Sequence, residues 1–166
     1  MELLAISYFF HLVATVIWLG GLFFMSLLGF PEMRRILGEN PPLYALLTRL
    51  RKRSYPLINF SLVVLILTGF TQMAGDENYD GVLQFDNEWS RVLLFKHIAF
   101  IGMIGCGLLL QYGVAPALER MSLLIERGKG DPAALAQLQR REIRLTWVNA
   151  GLGVLVLAFT AWLTAL

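Results

Sequence analysis

Residues 3–30, LLAISYFFHLVATVIWLGGLFFMSLLGF, carry no formally charged side chain, and the only imidazole among them is His11. A run this apolar exceeds the roughly 20 residues needed to cross a bilayer as a helix. It lacks the basic start of a secretory signal and is too long for a signal's apolar region, which predicts a retained transmembrane helix.

Three more stretches meet the same requirement: 55–73, 92–112 and 147–166. Pro31 follows the first, Pro56 sits in the opening turn of the second, an acidic stretch from Gly75 to Gly81 follows it, and Pro116 follows the third. With 57% hydrophobic and 16% charged residues, the chain is far more apolar than an ordinary soluble domain. The loops are too short to bury cores of their own. The expectation is an all-α integral membrane protein, residues 1–166 forming a single four-helix transmembrane domain.

The fourteen Lys and Arg residues orient it. Arg34, Arg35, Arg49, Arg51, Lys52 and Arg53 fall in the first loop, and Arg120, Arg127, Lys129, Arg140, Arg141 and Arg144 in the third. Only Arg91 and Lys96 lie elsewhere. The positive-inside rule makes these two loops cytoplasmic, and so predicts periplasmic termini in a bacterial inner membrane. The second loop, with Asp76, Glu77, Asp80, Asp86 and Glu88, then lies outside. This asymmetry explains the basic face without nucleic acid.

The chain's two histidines, His11 and His97, both lie near the starts of helices that enter from the outer side. At 1.5 Å rise per residue each falls roughly 8 to 12 Å below that interface. Ionisable groups at such depth are costly and point to a site. If the first and third helices are neighbours, two facing imidazoles suit the axial positions of a haem b iron. Ala14 and Trp18 share the His11 stripe, a small residue and an aromatic wall for a flat ligand. Gly21, Gly102, Gly105 and Gly107 remove bulk nearby, while Lys96, Arg91 and Trp89 sit where haem propionates would emerge. The competing account of the small residues is helix packing, and of the cations and indoles, interfacial anchoring.

Other features carry less. Asn59, Thr68, Gln72 and Asn149 are expected to make interhelical hydrogen bonds, with Thr68 and Gln72 also placed to line an outer cavity. Cys106 is the only cysteine, so no disulfide forms within the chain. The Asp76–Gly81 stretch lacks the spacing of a calcium loop and reads as an acidic turn. Residues 133–144 read as a cytosolic extension of the fourth helix. No nucleophilic triad, Walker loop or dinucleotide fingerprint occurs.

The segment HLVATVIWLGGLFF at 11–24 resembles the first-helix signature of the CopD superfamily, which includes copper-resistance protein D domains and HemJ-type protoporphyrinogen oxidases. Arg53, Thr68-Gly69, RVLLFKH at 91–97 and Pro116-Ala117-Leu118 extend the similarity. The resemblance implies four or more helices and a haem or copper site in the outer leaflet. In HemJ-type proteins it implies functional roles for residues matching His11 and Lys96. The chain departs from that pattern, with Leu94 where those sequences usually place a histidine and His97 after the lysine.

These readings converge on a haem b cytochrome ligated by His11 and His97. It would transfer electrons at the periplasmic side between a quinone or partner subunit and a periplasmic acceptor, or act as a quinone or superoxide oxidoreductase. The alternatives are a copper-binding or copper-uptake protein using His11, His97 and a methionine such as Met25 or Met73, a HemJ-like oxidase, and a structural subunit of a larger complex. Assembly as a homo-oligomer stays open.

Overall fold

The computed structural model describes residues 2–37, 41–79, 81 and 87–166. Every regular element among them is helical. Four helices are long and apolar enough to span a membrane: α1 (Glu2–Ile36), α2 (Pro41–Ala74), α3 (Glu88–Glu126) and α4 (Pro132–Leu163). Large apolar side chains such as Phe9, Leu12, Phe60, Leu67, Ile98 and Ile101 stand exposed along them. In water that surface would be a liability, whereas in a bilayer it is the solvated surface, with every helical backbone bond satisfied internally. The protein is therefore a multi-pass membrane protein.

None of the three prolines read as boundaries marks the end of a helix. Pro31 and Pro116 lie within continuous helices, immediately beyond widened π-type turns at Met25–Gly29 and Leu109–Val114. Proline cannot donate to the ladder, and its ring crowds the carbonyl four residues back, which is Leu27 or Tyr112. Both carbonyls belong to a widened turn, where the ladder is already out of register. Pro56 sits inside α2, which begins at Pro41 rather than near Tyr55. Helix α4 likewise starts at Pro132, so residues 133–144 are the helical extension expected of them.

The connections have identifiable punctuation. Gly128, at φ +68°, closes α3, with Lys129 N–H donating to the Leu124 carbonyl at 2.9 Å. Asp131 then caps α4 through Ala133 N–H, and Pro132 occupies the first turn. Asn87 caps α3 by accepting from Ser90 N–H at 2.7 Å. The Asp76 carboxylate accepts from Asn78 N–H, folding the start of the acidic stretch into a tight turn. Asp80 and Asp86, counted in the acidic loop, lie outside the described residues.

Helices α1 and α2 pack as one antiparallel pair and α3 and α4 as another. The pairs meet over Gly153, where an added Cβ would fall 3.1 Å from Leu19, 3.3 Å from Phe23 and 3.4 Å from Met103. Absence of a side chain there lets α1, α3 and α4 approach closely. Leu19, Ala99, Met103 and Val156 form the buried core, with Trp18 edge-on to Phe100 at 5.4 Å. Below, the end of the bundle with the first and third connections is called the basic end, and the opposite end the terminal end.

Candidate functional site

The pairing decides where the histidines go. Because α1 packs along α2, His11 meets α2, and its Nδ1 lies 2.8 Å from Thr68 Oγ1. Thr68 donates its own hydroxyl to the Val64 carbonyl at 2.6 Å, so Oγ1 must accept from His11. That fixes the tautomer: Nδ1 carries the proton and Nε2 keeps its lone pair. Ser7 and Gln72 continue the seam, Ser7 Oγ donating to the Thr68 carbonyl and Gln72 Nε2 to the Ser7 carbonyl. Thr68 and Gln72 thus make the interhelical bonds expected of them. A ring nitrogen oriented by its partner, with the other nitrogen free, is the arrangement metal-binding imidazoles adopt.

His97 does not join His11. It is exposed, and its Nδ1 bonds the Leu93 carbonyl of its own helix at 2.8 Å. The cause is helical phase. Trp89, Val92, Ala99 and Met103 are the buried residues of α3, and Lys96 falls on their stripe by spacing. His97, one residue on, is turned away by about 100°. The inward member of the Lys96-His97 pair is therefore the lysine, which is partly buried. A haem ligated by both rings of one chain does not fit this arrangement.

The remaining expected residues divide between packing and a second feature. Ala14 is buried, Trp89 is buried in the first turn of α3, and Arg91 is exposed near the start of the same helix. Gly102 meets Leu152 of α4, which makes it a packing glycine, whereas Gly105 and Gly107 face open space. Met73 is partly buried at the end of α2. Cys106 is unpaired and partly buried. Among the described residues no three His, Cys, Asp or Glu side chains gather into a metal cage.

Trp18 and Met25 instead line a cavity of about 190 Å³ between all four helices in the basic half. Its floor carries Glu142, buried on α4 with its side chain 6% exposed. Glu142 pairs with Arg34 of α1 at 3.2 Å and with Arg51 of α2 in a close contact. The Arg51 guanidinium also lies over the Phe30 ring. Sequence reasoning placed both arginines in a solvated loop and gave Glu142 no role. A signal existed: Glu142, Thr146, Asn149 and Gly153 follow helical spacing and form one polar and small stripe, which is the buried face of α4.

Four membrane-crossing helices, with one oriented imidazole in the terminal half and a polar-floored cavity in the basic half, define a small helical membrane protein with polar groups inside its bundle. The family model described as Copper resistance protein D matches residues 49–163, and the chain belongs to that family. The match covers α3 and α4 in full and most of α2, and includes Thr68, Lys96, Glu142 and Asn149. No curated protein and no solved structure matches the chain.

Proposed function

We propose that this protein handles copper within a bacterial inner membrane, as a single four-helix domain whose terminal end faces the periplasm. Copper is the cargo, and His11 Nε2 is the protein ligand that receives it in the outer half. Membership of the copper-resistance family supports the choice of metal. The observation that carries the site is the His11–Thr68–Val64 relay, which leaves Nε2 unprotonated and held in place. An imidazole nitrogen suits copper, and one protein ligand without a surrounding cage suits an ion that must be released. The charge asymmetry of the connections supports the orientation. Lys96 opposes prolonged residence, because an ammonium on the inward stripe of α3 repels a cation held inside the bundle.

The test is copper(I) binding to detergent-purified protein by competition with a chromogenic chelator, paired with copper accumulation in expressing cells. His11→Ala is expected to lose the site in both assays, and His97→Ala to retain it, because its ring points away from the bundle. Equal loss in the two variants, or no copper(I) bound by the wild type, overturns the reading. A Soret band that disappears in His11→Ala would return the haem reading.

A further inference from the structure

The cavity in the basic half contains a buried polar atom with nothing to bond. Asn149 is 6% exposed, and its Oδ1 has no hydrogen-bond partner. Leaving such an atom unpaired in an apolar medium is costly, and native proteins nearly always satisfy it. Asn149 lines the cavity, so whatever occupies the space can supply the bond.

Three further observations narrow the occupant. The cavity wall is mostly apolar, with Trp18, Met25 and Met103 among its lining residues. The two charged residues that line it, Arg51 and Glu142, are paired with each other, so an ion would find no unengaged counter-charge. Gly21 on α1 and Leu108 on α3 line it yet stand exposed within apolar stretches, so it opens to the surface the bilayer covers. At about 190 Å³ it falls below the roughly 300–1,000 Å³ of pockets that enclose drug-sized molecules. It has room for one ring, with the rest of the molecule in lipid.

We infer that this cavity is a binding site for the neutral, oxygen-bearing ring of a lipid-soluble molecule of the quinol class, held by Asn149. A ring hydroxyl donates to Asn149 Oδ1; turning the amide presents an N–H to a ring carbonyl, so both redox forms find a partner. The thioethers of Met25 and Met103 and the Trp18 indole give the ring polarizable surface. The widened turn Val16–Gly20 carries Trp18, and the widened turn Leu109–Val114 carries Gln111, another lining residue. Such turns are frequent at functional positions.

Calorimetric titration of the detergent-purified full-length protein with a decyl-tailed benzoquinol tests this, with decylbenzene as the oxygen-free probe. Saturable binding at one site per chain is expected, with decylbenzene and Asn149→Leu each weaker by about five- to tenfold, the scale of one hydrogen bond. Gly107→Leu is expected to abolish binding while leaving the fold intact, because a Cβ at Gly107 meets nothing within 4 Å and the longer side chain fills the cavity. It therefore decides the question even where Asn149→Leu does not fold. No saturable binding to the wild type, equal affinity for decylbenzene, or undiminished binding to Gly107→Leu overturns the inference. None of these outcomes depends on copper at His11.

Discussion

The two halves of the bundle solve the problem of buried polarity in opposite ways. In the terminal half, Ser7, His11, Thr68 and Gln72 form an uncharged seam between α1 and α2, whose hydrogen bonds end with one ring nitrogen unengaged. In the basic half, a buried carboxylate is gripped by two guanidinium groups and joins α1, α2 and α4. The difference teaches where chemistry can occur. Glu142 already bonds a guanidinium through each of its oxygens, so the triad holds helices together, whereas the seam orients a donor atom and leaves it available.

The largest effect is expected from Glu142→Gln. Removing the carboxylate strands two partly buried guanidiniums, which should cost about 3 kcal/mol and lower the thermal unfolding midpoint in detergent. An unchanged midpoint would make the triad incidental and erase the contrast.

Thr68→Val removes the acceptor that fixes the His11 tautomer, and copper(I) affinity should fall by roughly 10–100-fold with little change in stability. Thr68→Ser should restore it, separating the hydroxyl's role from packing.

Lys96→Gln works in the other direction. Deleting a positive charge from the inward stripe of α3 should tighten copper(I) binding by about tenfold, or about 1.4 kcal/mol. Weaker binding instead would make Lys96 a supporting residue rather than an opposing charge.

The smallest effect belongs to Lys52→Ala. Its contact with Glu119 is 3.7 Å long and largely solvated, the side chains being 73% and 40% exposed. Stability should change by less than about 1 kcal/mol, measured beside Glu142→Gln under the same conditions.

What could be read in the sequence followed from rules that act locally. The number of spans was legible because a bilayer demands long apolar runs whatever packs beside them. Helix ends were less legible. Pro31 and Pro116 look like stops, and only the widened turns before them show how the ladder tolerates each ring. The site was half legible: His11 stood out as an ionisable residue in an uncharged span, and Thr68 and Gln72 as polar groups needing partners. Glu142 was hidden among basic neighbours in a stretch that read as a cytosolic, solvated extension of the fourth helix.

Length, apolarity and charge asymmetry along the chain thus determined a four-span helical membrane protein and marked His11 as the residue to explain. Tertiary structure decided which helices pair and which face of each turns inward. Residues 96 and 97 are adjacent in sequence and about 100° apart around α3, so no reading of composition or depth chooses between them. Packing chose, by setting the stripe of Trp89, Val92, Ala99 and Met103 against the bundle, which turned Lys96 inward and left His97 exposed.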